Sequence, residues 1–140
     1  MKVKKLSLKK EKIKAWNLFS KYIRTRDSRL DGINIQCITC LKWYPAFGKG
    51  CAQAGHFIPG RHSNVLFDER NCHAQCYNCN INLKGNWVKY ESFMLARYGE
   101  KVIAELKELD MVIPHYKAFH YVGFQEKYKQ KIKELEAQLK

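Results

Sequence analysis

"NCHAQCYNCNINLKGN", residues 71–86, sets three cysteines, five asparagines and one histidine into sixteen positions of a lysine-rich chain. Cys76 and Cys79 form a CxxC pair there, and Cys37 and Cys40 in "CITC" form a second, with 35 residues between the pairs. One tight CxxC turn offers two thiolates to a single metal, and two such turns complete a tetrahedral zinc site with Zn–S bonds of about 2.3 Å. Four buried reduced thiols are the bland alternative, which two correctly spaced pairs disfavour. Cys51 and Cys72 lie outside the pairs and read as small core residues.

The rest of the chain fits an intracellular metal site better than a disulfide framework. No run of about 18 apolar residues appears, and the lysine-rich start has no apolar h-region behind it. The expectation is a protein of the cytoplasm with no membrane segment, where thiols stay reduced. With 26 Lys+Arg against 13 Asp+Glu, the 140 residues carry a net charge of +13, which points to a polyanionic partner, nucleic acid first. The length suits one domain with appendages.

Residues 1–14 carry seven lysines and one glutamate and read as a frayed basic arm or the first turns of a solvated helix. Trp16, Phe19 and Ile23 recur at helical spacing, predicting an amphipathic helix from Ala15 to about Arg26 whose aromatic face packs on whatever the zinc organises. Between the cysteine pairs, Pro and Gly punctuate short apolar stretches, as in small strands and loops. Residues from about Cys76 to Leu83 can open a helix that holds the second pair in its first turn. After Asn86, a stripe of Trp87, Tyr90, Met94 and Tyr98, continued by Val102, Ile103 and Leu106, predicts helical core up to Pro114. From Gln125 onward, Tyr128, Ile132, Leu135 and Leu139 form either a short coiled-coil seam or a helix lying on the body. The organisation expected is thus an arm (1–14), a zinc-bound domain with flanking helices (15–110) and a C-terminal helical extension (111–140).

His56 in "AGHFIPGRH" is followed by Asn71 after 14 intervening residues and by Asn80 after a further 8. This pattern resembles the HNH, or His-Me finger, nucleases, with a histidine on the first strand of a hairpin, an asparagine on the second, and His or Asn on the helix that follows. "CYNCNINLK", with Asn80 directly after Cys79 and Lys84 beyond it, has the form in which that third residue follows a zinc CxxC. The resemblance implies an α+β fold with a small zinc-stapled ββα-metal core and flanking α-helices. It implies His56 as general base on water, Asn71 holding the imidazole, and Asn80 placing a hard divalent ion, Mg²⁺ or Mn²⁺, against the scissile phosphate. Zinc on the four cysteines then supplies folding energy that so small a motif lacks. Without His56, both asparagines are ordinary turn and cap residues.

Several words taken together, "LFSKYIRTRD", "CITCLKWYP", "AGHFIPGRH", "FDERNCHAQCYNCN", "LKGN" and "FMLARYG", are similar to the phage NinG recombination proteins over about residues 16–100. That resemblance implies a structure-selective endonuclease on branched DNA such as Holliday junctions and D-loops, acting in the cytoplasm of a host cell. Charge and spacing by themselves say only a metal nuclease on a polyanion.

One position departs from the HNH pattern. Many of those enzymes carry Asp or His immediately before the base as second metal ligand, and here that residue is Gly55. One carboxamide holds Mg²⁺ poorly, which makes Asp68 in "FDERN" the first candidate for the missing ligand, with His62 and His73 behind it. Each has an ordinary alternative: Asp68 as a turn cap, the histidines as phosphate contacts or surface residues. Arg61, Arg70, Lys84 and Lys89 are candidate DNA-backbone contacts, the solvated-charge reading of any single one being the blander. Two rival functions share the charge and the cysteines: a non-catalytic zinc knuckle that binds nucleic acid, and an adaptor that forms a homodimer through the C-terminal seam. The H…N…N spacing separates the first rival from a nuclease, since a pure binding module has no need of it.

Overall fold

The computed structural model describes residues 5–28 and 31–139. The first helix, α1, spans Leu8–Asp27, starting where the Ser7 side chain accepts the Lys10 N–H and where Glu11 lies in the first turn. It therefore begins seven residues before the expected Ala15, and Leu8–Lys14 of the expected basic arm are helix. Residues 1–4 of that arm lie outside the described residues.

Two short antiparallel pairs follow. β1 (Asn34–Gln36) pairs with β2 (Trp43–Pro45), and the first cysteine turn closes the hairpin between them. β3 (Gln53–His56) pairs with β4 (Cys72–Gln75), so that Gly55 faces His73 and His56 faces Cys72 across the ladder. Ile35, Ala46, Ala52 and Ala74 form a small cluster between the two pairs. A 3₁₀ turn, Glu69–Asn71, leads into β4, and one wide π-helical turn, Asn78–Asn82, follows the second cysteine turn. α2 (Trp87–Arg97) and α3 (Glu100–Asp110) come next, with Tyr90, Met94, Ile103 and Leu106 buried against Phe57 and Val65. Trp87 departs from the expected core stripe: half of it is exposed, and it stacks on Phe57 with ring centroids 6.0 Å apart.

The last helix, α4 (Ala118–Gln138), lies on the body. Tyr128 and Ile132 pack with Phe19, Tyr22 and Ile23 of α1, and Gln125 Nε2 donates to Glu11 Oε2 at 2.7 Å. Tyr128, Ile132 and Leu135 of the stripe read as a possible seam thus pack within the chain, and Leu139 stays exposed. The architecture is α+β, and no described helix is long and apolar enough to cross a membrane.

α1 also closes the free edge of β4. Arg26 donates to the Glu69 and Cys72 carbonyls at 2.8 Å each, and Asp27 Oδ2 accepts the Ala74 N–H at 2.9 Å. These bonds replace ladder partners that a two-stranded sheet otherwise leaves to water.

Candidate active site and metal cluster

The four paired cysteines come together as the spacing predicts. Their sulfurs all lie within 4.8 Å of one another, with Cys40 Sγ and Cys76 Sγ 3.9 Å apart, close to the roughly 3.8 Å edge of a zinc–thiolate tetrahedron. Each turn folds over its own first sulfur: the Cys40 N–H points to Cys37 Sγ at 3.5 Å and the Cys79 N–H to Cys76 Sγ at 3.4 Å. Burial pushes the Cys37 thiol up, but the Cys40 N–H and the Thr39 hydroxyl outweigh it and bring the thiol down to about 6. Burial moves Cys79 the other way, to about 11, so the cluster gains from a cation that favours thiolate at all four positions. Lys84, Gly85 and Asn86 all have positive φ, reversing the chain so that the Asn86 amide reaches Cys79 Sγ at 3.6 Å. The donor set and its spacing fit a structural zinc ion. Cys72, outside the cluster, is a buried core thiol pushed well up by burial, as expected of it.

β3 presents neighbouring residues to opposite faces. His56 turns to α1, where its ring stacks on Trp16, and its Nε2 lies 2.9 Å from the Leu66 carbonyl. A carbonyl only accepts, so Nε2 carries the proton and Nδ1 keeps its lone pair. Burial lowers the imidazole below its ordinary value, the Leu66 carbonyl partly opposes this, and the Arg61 charge lowers it further. His56 is therefore a neutral ring at neutral pH with one basic nitrogen free.

Asn71 works one step away from the ring. It is fully buried, with Oδ1 accepting the Ile58 N–H at 2.9 Å and Nδ2 donating to the Ile58 and Val65 carbonyls at 2.9 and 3.2 Å. The expectation that Asn71 holds the imidazole is corrected accordingly: it fixes the loop between the strands, and that loop's Leu66 holds the imidazole. Asn80, in the π turn, donates through Nδ2 to Gln53 Oε1 at 2.8 Å. His56 and Asn80 line one groove of about 800 Å³, between α1 and the turn after the second cysteine pair.

Asp68 does not reach that groove. Its Oδ1 accepts the Arg70 N–H and Nε at 3.0 and 3.1 Å and its Oδ2 accepts Arg70 NH2 at 2.9 Å, which caps the 3₁₀ turn. Both oxygens are engaged with a cation, so the first-choice second metal ligand is in fact the turn cap. The same geometry removes Arg70 from the DNA contacts, because its remaining arm bonds Glu105 at 2.8 Å. His73 is also withdrawn from the list of ligands: it is buried, and burial pushes it down to about 2. Tyr98 OH lies 2.7 Å from His73 Nε2, His73 Nδ1 lies 3.1 Å from Tyr90 OH, and Tyr90 OH donates to the Gly55 carbonyl at 2.7 Å. With Tyr90 spending its proton on Gly55, His73 donates from Nδ1 and accepts at Nε2. The chain of bonds ends on the residue before His56.

Arg61, His62 and Lys84 line the groove, as does Lys12 of α1, whose Nζ donates to the Arg61 carbonyl at 3.2 Å. Lys89 is exposed on α2 and is not among the groove-lining residues. Sequence reading missed Lys12, which looked like one lysine of a frayed arm, and Trp16, which looked like core. The helical period of residues 8–27 was the available signal for both.

The profile of a family described as "Bacteriophage Lambda NinG protein" matches residues 1–138. The chain belongs to the NinG family. Relatives include the ninG protein of Salmonella phage P22, 30% identical over 139 residues that cover 96% of this chain and 64% of the relative. The ninG proteins of Escherichia phages 933W and lambda are 31% and 30% identical over 111 residues, 76% of this chain and 51% and 50% of theirs. The chain thus spans about half to two thirds of the length of these relatives. No solved structure gives a significant match.

Proposed function

We propose that this NinG-family chain is a metal-dependent endodeoxyribonuclease of the HNH type that cuts branched recombination intermediates of the Holliday junction or D-loop kind. The observation that carries the reading is His56: neutral, fixed through Nε2, with Nδ1 free, in a groove it shares with Asn80 and a rim of Lys12, Arg61 and Lys84. A binding module has no use for a half-buried imidazole kept unprotonated and bonded through one nitrogen, in a groove shared with the oxygen of a carboxamide.

In this reading the cationic rim draws the DNA backbone into the groove by counterion release. His56 takes a proton from water at Nδ1, and the Leu66 carbonyl steadies the imidazolium that forms. Trp16 and the Asn71-braced loop keep the ring from turning. Asn80 Oδ1 is an oxygen donor of the kind Mg²⁺ or Mn²⁺ accepts, its amide nitrogen being committed to Gln53. Such an ion, when bound, offsets the charge that builds on the phosphate and the leaving oxygen. The branched substrate rests on likeness to the NinG recombination proteins, and the chemistry rests on the site.

Purified chain incubated with labelled Holliday junction, linear duplex and single strand, each with Mg²⁺, Mn²⁺ or no added metal, tests both parts. Metal-dependent cuts enriched at the junction are expected. Binding without cleavage under every condition, or a His56→Ala protein that cuts normally, returns the chain to the zinc-knuckle reading.

A further inference from the structure

The groove that holds His56 has two kinds of wall. Lys12, Arg61 and Lys84 give it positive charge, and among the described residues that line it none is acidic. Between these cations lie large apolar side chains: Ile13 from α1, Ile81 from the π turn and Trp87 from the start of α2, each about half exposed. Phosphates account for the cations but not for the hydrocarbon, which a site for bare backbone leaves in water. A ligand with anionic charge and a flat apolar body meets both walls, and in DNA that is a nucleotide whose base has left its stack.

Trp87 has the form of a stacking platform. Its ring lies nearly parallel to Phe57, planes 11° apart, and among the described residues no other aromatic ring packs on it. Phe57 is buried, follows His56 in the chain and lines the same groove, so Trp87 extends a stack rooted beside the imidazole. The backbone is bent to put it there. Lys84, Gly85 and Asn86 have φ of 50°, 94° and 49°, a left-handed run that a lysine rarely adopts. That run sets a charge, Lys84, and a ring, Trp87, on one groove three residues apart.

We infer that Trp87 receives one unstacked base from the branch point of a DNA junction, while Lys12, Arg61 and Lys84 hold the phosphates beside it. The inference rests on the reading of this groove as the DNA site given above, and it assigns the choice of branched substrate to a residue. In linear duplex each base is covered on both faces, and taking it out of the stack costs free energy. At a branch point the stack is already interrupted, so the cost falls. Every base has a π-face, so the selection is for structure and tolerates sequence.

The test reads binding by zinc-loaded protein with no added divalent ion. Affinities for a four-way junction and for linear duplex of the same sequence are measured with wild type, Trp87→Ala and Trp87→Phe. Trp87→Ala should lose about 5- to 150-fold on the junction and little on the duplex, and Trp87→Phe should keep most of the preference. An abasic residue moved through the branch nucleotides should cost wild type a similar factor at one position, and cost Trp87→Ala nothing further there. Equal losses on junction and duplex, unchanged junction affinity in Trp87→Ala, or additive losses at every abasic position overturn the assignment. Should Trp87→Ala lose its zinc or its fold, 5-iodouracil placed at each branch position and irradiated with wild type decides: a cross-link mapped to Trp87 supports the assignment, and none at any position overturns it. Cleavage is then followed with Mg²⁺ or Mn²⁺. The expected binding pattern without cleavage overturns the nuclease reading alone, whereas metal-dependent junction cleavage with an unchanged binding preference in Trp87→Ala overturns this inference alone.

Discussion

Trp16 and His56 lie face to face, ring centroids 5.0 Å apart and planes 27° from parallel. A helix read from its periodicity as structural thus supplies one wall of the imidazole's surroundings and part of the burial that holds it neutral. Trp16→Ala should let water reach the ring, move the His56 titration up toward its ordinary value, and lower cleavage by about ten-fold, with Trp16→Phe intermediate. The His56 ring proton followed by NMR against pH checks this. An unmoved titration would mean that Trp16 only fills space.

Removing the Asn71 side chain should damage stability and activity together. Asn71→Ala leaves the Ile58 N–H and two carbonyls without partners, at about 1–3 kcal/mol for each group that water does not reach. His56→Ala should instead cost on the order of 10²- to 10⁴-fold in rate while junction binding and thermal stability stay near wild type. Thermal melts beside cleavage rates separate the two, and equal stability in both variants removes Asn71 from its bracing role.

Acid should weaken the fold through two histidines. Burial holds both His56 and His73 below the ordinary imidazole value of 6.5, and His73 reaches about 2. Below about pH 6.5 the unfolded chain binds protons that the folded chain refuses, so stability is complete above that pH and falls beneath it. Each histidine contributes a slope of up to about 1.4 kcal/mol per pH unit, the His73 part continuing toward about pH 2. Urea midpoints at about pH 5 and pH 8, with zinc in excess, measure the loss, and His73→Gln should flatten it. Cleavage should fall over a more acidic range than free histidine dictates, since His56 titrates below 6.5.

The two metals should part under chelation. Mild chelator should stop cleavage and leave the helical spectrum unchanged, because an oxygen-ligated ion exchanges readily. Stripping the thiolate cluster should unfold the protein, as should Cys76→Ser, since binding energy on the order of 10 kcal/mol is folding energy in such a site. Active protein found to contain no tightly held zinc would end the four-cysteine assignment.

Charge variants should divide along the ion pairs. Arg61→Ala and Lys84→Ala should each weaken DNA binding and reduce the salt slope by about one. Arg70→Ala should leave the salt slope alone and cost stability, because its guanidinium serves Asp68 and Glu105. Asp68→Asn should leave the metal dependence of cleavage unchanged, since Asn caps a turn nearly as well.

The parts of the site legible in the sequence are those fixed by short spacing. Two CxxC turns and the His56, Asn71, Asn80 intervals are short patterns, and the fold gathers the four cysteines into one cluster and brings His56 and Asn80 to one groove. Asp68 misled because ligand chemistry was judged without its competitor: Arg70, two residues on, offers a bidentate cation that no metal need replace. Trp16 was illegible for another reason. It acts on His56 across 40 residues of sequence, and no local pattern marks the partner. The early start of α1 was hidden by its lysines, whose stems suit a helix although their charges suggest an arm.

Gln125 meets Glu11 across 114 positions of sequence, and with that contact α4 clasps α1. The cysteine turns and the β3–β4 hairpin are made from nearer neighbours, whereas the wall that carries Trp16 is buttressed from outside by the last described helix. Contacts so distant form late, after the loop-closure entropy has been met. A chain still emerging from the ribosome should therefore have its thiolates ready to capture an ion before α4 has settled against the groove's wall. Damage to Tyr128 or Ile132, far from any reacting atom, should leave the knuckles intact and the groove without its wall.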